Sequence, residues 1–131
     1  MDTAGKDRPL RVLHVDDEPL DQRVVGDILM AFGHATTTAR SGREALDRLA
    51  REPFDLVLMD MEAPAVSGVE LVQRLRASSG PERTTPVIAL AADELSKTQD
   101  DYLALGFSAC LAKPILVNTL MASVMAAVGA R

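Results

Sequence analysis

Five residues of this chain carry groups that could act together: the adjacent pair Asp16-Asp17, Asp60 with Glu62 two residues on, and Lys113. Asp60 closes the apolar run "LVLMD". A buried, unpaired carboxylate is costly, so such a residue is either solvated at a strand tip or retained for chemistry. If a fold gathers Asp16, Asp17 and Asp60, like charges about 4 Å apart repel by about 4 kcal/mol at an effective dielectric of about 20. A divalent cation relieves that repulsion. All-oxygen ligands with vacant positions suit Mg2+, which commonly bridges carboxylates to a phosphoryl group. Beside such an ion a carboxylate can serve as a nucleophile and form an aspartyl phosphate. A lysine can then hold a phosphoryl oxygen as a point charge. Singly these signals are ordinary; their order and spacing carry the case.

The elements that must position them alternate along the chain. "LRVLHV" (10–15) is a strand pattern that stops at Asp16-Asp17-Glu18-Pro19. Leu20, Val24, Ile28 and Phe32, four residues apart, predict an amphipathic helix ended by Gly33. "ATTTA" (35–39) is a short strand, and Ser41 with Glu44 forms a capping-box pattern for a helix through Leu46 and Leu49 that ends before Pro53. "LVLM" (56–59) is a third strand. Val69, Val72 and Leu75 mark a third helix, followed by the loop "SSGPERTTP" (78–86). "VIALA" (87–91) is a fourth strand, and Ser96 with Gln99 suggests the cap of a helix closing at Gly106. "ACLA" (109–112) is a fifth strand, Lys113-Pro114 a turn, and 116–128 a last helix. Five β/α alternations with continuous apolar strands imply an α/β fold, a parallel sheet covered on both faces. Open sheets of this kind bind ligands beyond the carboxyl ends of the strands, where strand order reverses. Asp16, Asp17, Asp60 and Lys113 all fall at that edge.

Bulk properties narrow the function classes. The chain has 131 residues, enough for one domain with its own core. A net charge of −5 disfavours nucleic acid as a partner, since such binding rests on Lys and Arg contacts to phosphate. The single Cys110 excludes an internal disulfide and suits a reducing, cytoplasmic setting. No apolar run reaches membrane-spanning length, and "MDTAGKDRP" is unlike a signal peptide. The histidines lack zinc spacing: His14 is expected to alternate away from the acids on its strand and His34 to lie in a turn. A glycine-rich phosphate loop and a Ser–His–Asp arrangement are both missing from the sequence.

Three segments, "VLHVDDEP", "DLVLMDMEAPAVSG" and "CLAKPI", resemble the receiver domain of two-component response regulators and hybrid histidine kinases, a likeness extending over about 10–128. Residues 1–9 are expected to be a flexible N-terminal segment. The resemblance implies a flavodoxin-like, doubly wound five-stranded sheet in the order 2-1-3-4-5 with five helices. It implies Asp60 as acceptor of a phosphoryl group from a phosphohistidine on a histidine kinase or histidine phosphotransfer protein. Asp17, Asp60 and the backbone carbonyl of Glu62 would bind Mg2+ directly, with Asp16 assisting through water. Lys113 would contact the phosphoryl group, and the Lys113-Pro114 bond would be cis. Such a domain catalyses at most its own phosphorylation and dephosphorylation.

The chain departs from the family at two positions. Receivers usually carry Thr or Ser at the end of the fourth strand and Tyr or Phe three residues before the lysine; here these are Ala91 and Cys110. The hydroxyl and aromatic halves of the usual switch are both missing. Signalling is therefore expected through the loop after Asp60 or the fourth helix. Glu62 and Asp93 (two residues past Ala91) flank the site, where they could hinder an anionic donor or orient a hydrolytic water; Ser67 replaces a frequent Asp.

From Pro114 to Ala130 the sequence carries no charge. Leu116, Leu120 and Val124 form a row expected to pack on the sheet. Val117, Met121 and Met125 form a second row, expected to face a homodimer partner or neighbouring domain. Two other readings stand beside the receiver. One is a pseudo-receiver acting as a phosphorylation-independent interaction or dimerisation module, favoured by Ala91 and Cys110. The other is a haloacid-dehalogenase-type phosphatase, suggested by "DME" after a strand, although that fold leaves the Asp16-Asp17 pair unexplained.

Overall fold

The computed structural model describes residues 8–92 and 98–129. Five strands alternate with helices: β1 (Arg11–Val15), α1 (Pro19–Ala31), β2 (Ala35–Ala39), α2 (Gly42–Arg51), β3 (Leu56–Asp60), α3 (Gly68–Ala77), β4 (Val87–Ala91), α4 (Gln99–Leu105), β5 (Ala109–Ala112) and α5 (Val117–Gly129). All strand pairs are parallel, in the order β2-β1-β3-β4-β5. This is the flavodoxin-like arrangement, with its switch point between β1 and β3.

Alternation along each strand divides the core between two faces. Leu13, Val15, Val57, Met59, Val87 and Ala89 pack with Ala45 and Leu49 of α2, Leu71, Val72 and Leu75 of α3, and Tyr102 of α4. Val12, Leu56, Leu58, Ile88 and Leu90 pack with Val25 and Leu29 of α1 and Leu120, Met121 and Val124 of α5.

Local chemistry explains where helices begin and end. Glu18 caps α1 through its carboxylate, which accepts from the N–H of Leu20 and Asp21, with Pro19 at the first helical position. Ser41 Oγ caps α2 by accepting from Glu44 N, while the Glu44 carboxylate reaches Arg40 N rather than the cap residue itself. The cap of α4 is Thr98, in a reciprocal box with Asp101; the expected Ser96 lies outside the described residues. Gly106 ends α4 at φ 107°, a left-handed conformation that suits glycine. The loop 78–86 contains a short 3-10 turn (Pro81–Thr84).

Two helices present different faces from those expected. On α1 the buried row is Val25 and Leu29, while Leu20, Val24 and Phe32 are exposed and only Ile28 of the expected row is partly buried. The four-residue spacing was genuine, but α1 carries two adjacent apolar rows, and spacing alone does not say which meets the sheet. On α5, Leu116 precedes the helix and is 62% exposed, while Met121 is buried against the sheet beside Leu120 and Val124. Met121 is therefore a core residue and not part of a partner-facing row; Val117 and Met125 remain exposed.

Candidate functional site

The register that pairs Val15 with Met59 carries on past β1, so Asp16 falls beside Asp60 at the carboxyl edge of the two central strands. Asp16 is fully buried. Its N–H donates to Ala39 O at 2.8 Å, its carbonyl accepts from Gln22 Nε2 at 2.6 Å, and its Oδ1 accepts from Glu18 N at 2.9 Å. These bonds fix the β1–α1 turn. Asp60, only 3% exposed, ends β3; its Oδ1 accepts from Glu62 N at 3.0 Å. Lys113 follows β5, its N–H donating to Ala91 O at 3.0 Å, and its Nζ lies 3.2 Å from Asp60 Oδ1 and 3.4 Å from Asp21 Oδ2. The Lys113-Pro114 bond is cis.

Asp16, Asp21 and Asp60 each offer a carboxylate oxygen within 4.8 Å of the others. Asp17 is exposed and outside this group, and Glu62 is exposed. Asp93 lies outside the described residues. Asp21 is the acid that sequence reasoning missed. It continues the inward Val25–Leu29 row by one turn toward the strand ends. Choosing Leu20 and Val24 as the buried row turned Asp21 outward; a reading along 21, 25 and 29 would have found it.

Charge within the cluster pulls in opposite directions. Burial raises the carboxyl pKa of Asp60, and the neighbouring Asp16 adds to the rise; Glu62 N–H and Lys113 oppose it without reversing it. For Asp16, burial also pushes upward, but contacts with His14, the Glu18 N–H and Lys113 together hold its carboxyl below the usual value. Burial alone would lower Lys113, yet Asp60, Asp16 and Asp21 hold its ammonium above its ordinary pKa.

His14 does not alternate away from the acids. Two residues before Asp16, it shares that residue's face of β1, and its Nε2 lies 3.4 Å from Asp16 Oδ2 in the fully buried interior. His34 is structural: its Nδ1 accepts from Leu10 N at 3.0 Å. A cavity of about 170 Å³ opens between α1 and the β5–α5 turn, bounded by Asp16, Asp21, Leu20, Val24, Lys113 and Pro114. A larger hollow of about 280 Å³, between Phe54 and Pro81, lies at the opposite, amino end of the sheet and lacks the acid cluster.

Ala91 and Cys110 lie on the strands expected for them. Ala91 ends β4 and is buried, without a hydroxyl to offer. Cys110 sits in β5, where the Gln99 carboxamide pairs with its backbone in both directions: Gln99 Nε2 donates to Cys110 O at 2.6 Å, and Cys110 N donates to Gln99 Oε1 at 3.2 Å. This contact fastens α4 to the edge strand.

The loop after Asp60 is bent tightly. Ala65 and Val66 have φ of 50° and 66°, unusual for residues with a Cβ and especially for β-branched valine. The loop rests on the start of α2, where Gly42 N donates to Pro64 O at 3.1 Å. A Cβ on Gly42 would overlap the carbonyl oxygens of Val66 and Ala65.

A parallel 2-1-3-4-5 sheet gathering buried acids and one lysine at its carboxyl edge has the form of a signalling receiver. The response regulator receiver domain family matches residues 12–125, and the chain belongs to it. It is 33% identical over 118 residues to the sensor histidine kinase RcsC of Salmonella typhimurium, covering 90% of this chain and 12% of that protein. It is 35% identical over 109 residues to the signal transduction histidine-protein kinase BarA of Shigella flexneri, covering 81% of this chain and 11% of that one. The chain thus spans about an eighth of the length of these relatives. Among solved structures, the receiver domain of the sensor histidine kinase PA1611 of Pseudomonas aeruginosa superposes with a TM-score of 0.83 at 29% identity, covering 92% of this chain and 98% of that one. That structure holds a magnesium ion coordinated in its active-site cleft. Among the described residues, no helix is long and apolar enough to cross a membrane.

Proposed function

We propose that this domain takes a phosphoryl group from a phosphohistidine onto Asp60, with Mg2+, as a step in a phosphorelay. The observation that carries the reading is Asp60 itself, a nearly buried carboxylate at a strand end with the Lys113 ammonium 3.2 Å from Oδ1. In the transfer, an Asp60 carboxylate oxygen attacks phosphorus, the P–N bond breaks, and the imidazole nitrogen keeps the bonding pair. Lys113 then bonds a phosphoryl oxygen.

The donor set fits a hard cation. It is all oxygen and crowded with like charge, and one oxygen of the buried Asp16 carboxylate, Oδ2, has no hydrogen-bond partner among the described residues. Asp16, Asp17, Asp60 and the Glu62 carbonyl would hold the ion, and Asp21 adds a further acid. Bound there, Mg2+ supplies charge neutralisation between the acids and the incoming phosphoryl group. Glu62, exposed two residues past Asp60, would modulate donor approach or hydrolysis; the sequence suggests the same role for Asp93, which lies outside the described residues.

The donor is a histidine kinase or histidine phosphotransfer protein, consistent with the kinases among the relatives. The exposed Leu20 and Val24, at the rim of the acid pocket, offer an apolar docking surface beside Asp60. With Ala91 and Cys110 replacing the usual hydroxyl and aromatic, phosphorylation acts through the loop after Asp60 or through α4. Amide chemical shifts with and without a phosphoryl mimic test this route; large shifts confined to Cys110 and β5 would count against it.

The function is tested by intact mass after incubation with acetyl phosphate and Mg2+, and with a phosphohistidine donor, alongside Asp60→Asn. Gain of one phosphoryl group, lost in the variant and without the metal, is the expected result. Failure with both donors favours the second reading, a phosphorylation-independent interaction module. Ala91 and Cys110 favour that reading, as do the exposed Leu116, Val117 and Met125 at the last helix, which would meet a second copy or a neighbouring domain.

A further inference from the structure

His14 is a buried polar residue that phosphoryl transfer to Asp60 does not explain. It lies mid-strand in β1, paired in register with Thr38 and Leu58, and is fully buried on the face packed by α1 and α5. Neither ring nitrogen has a hydrogen-bond partner among the described residues. Its strand neighbours on that face, Val12 and Leu58, are aliphatic, and a leucine here would fill the core without burying two polar atoms. Asp16 Oδ2 lies 3.4 Å from Nε2 and likewise has no hydrogen-bond partner among the described residues.

Asp16 needs such a neighbour. Glu18 N–H holds Oδ1, which fixes one end of the carboxylate and leaves its plane free to turn about that bond. The distance to His14 is slightly longer than a formed N–H···O bond, so a small rotation of the ring or carboxylate closes it. Carboxylates that serve a metal are commonly oriented by a hydrogen bond from behind.

We propose that His14 is a positioning residue for the cation site: its Nε2–H holds Asp16 Oδ2 from the core side, so that the carboxylate meets Mg2+ in one fixed orientation. The role is that of a donor, and it rests on the reading of the acid cluster as a Mg2+ site. The occupants of this place then sort by donor capacity. Gln retains a terminal N–H at similar reach; Leu and Phe match the bulk and lack the donor.

The test is a MgCl2 titration of the full chain followed by two-dimensional amide NMR, which reports affinity and foldedness together. His14→Leu is expected to weaken Mg2+ about tenfold, and His14→Gln to stay within about threefold of the native chain. Unchanged affinity in a folded His14→Leu chain overturns the proposal, and so does an equal loss in His14→Gln, which would assign the effect to packing. His14→Phe replaces His14→Leu if the latter does not fold. On the native chain, imidazole 15N resonances give an independent readout: Mg2+ is expected to shift Nε2, and an unmoved Nε2 at saturating Mg2+ overturns the role. Absence of Mg2+ binding by the native chain would instead refute the Mg2+ reading itself.

Discussion

Asp60→Asn is expected to stabilise the metal-free protein, even though it removes the residue on which the proposed function depends. Asp60 feels two opposing sets of charges. Lys113 Nζ at 3.2 Å attracts it by about 5 kcal/mol at an effective dielectric of about 20. The Asp16 carboxylate, within 4.8 Å and equally buried, repels it by about 3.5 kcal/mol on the same scale. Asp21 adds a smaller repulsion, because its side chain is 41% exposed and solvent screens it. Attraction and repulsion therefore nearly cancel, and the cost of burying the charge decides the sign. Asparagine keeps an oxygen for the Glu62 N–H and leaves Lys113 paired with Asp21 at 3.4 Å. A gain of about 1–2 kcal/mol follows, at the modest end of effects seen when a buried charge is relieved. Urea unfolding at neutral pH without divalent ions measures it. Adding Mg2+ should stabilise the native chain more than the variant.

The same balance fixes a pH dependence. Because Asp60 has a raised pKa when folded, its unfolded form releases the proton first as pH rises. Native stability should fall with rising pH from the ordinary aspartate range up to the raised value, then level off. Asp16, with its lowered pKa, acts in the opposite sense: its contribution is present above the ordinary range and is lost as pH falls through its folded value. The variant should lack the first slope and keep the second. If Asp60→Asn instead destabilises the metal-free protein by more than about 1 kcal/mol, the Lys113 attraction outweighs repulsion and burial together, and the charge balance drawn above is wrong.

Three further perturbations test the parts around the site. Gly42→Ala must push the loop after Asp60 off the start of α2; a loss of about 1–3 kcal/mol is expected by urea unfolding, with slower phosphorylation from acetyl phosphate. Arg76 donates to the carbonyls of Gly106, Arg83 and Thr85, so Arg76→Met should cost about 2–3 kcal/mol, and Arg76→Lys should recover only part because it lacks the planar fork. Gln99→Ala removes both bonds to Cys110; faster hydrogen exchange at the Cys110 amide is expected, with a loss of about 1 kcal/mol by unfolding.

The alternation of apolar strands with capped helices, and the placement of acids and a lysine at strand ends, determine the architecture from the sequence by itself. Strand and helix limits follow from local chemistry: Pro19, Ser41 and Gly106 act within a few residues of where they stand. Asp16, Asp60 and Lys113 were legible for the same reason, since a strand's carboxyl end is a position in sequence as well as in space. What escaped was decided by rotation and by distance across the fold. Whether α1 turns Leu20 and Val24 or Val25 and Leu29 toward the sheet depends on its packing against β1 and β3, and that choice brings Asp21 into the acid cluster. Met121 is buried because α5 packs its Leu120, Met121 and Val124 flank on the sheet and leaves Val117 and Met125 outside. The Gln99 contact with Cys110 spans two elements whose spacing no local pattern encodes. His14 marks the boundary between the two kinds of knowledge. Strand periodicity puts residues 14 and 16 on one face, a point the expectation that His14 turns away from the acids overlooked, and only tertiary packing buries the two side chains together, which gives the pair its energetic weight.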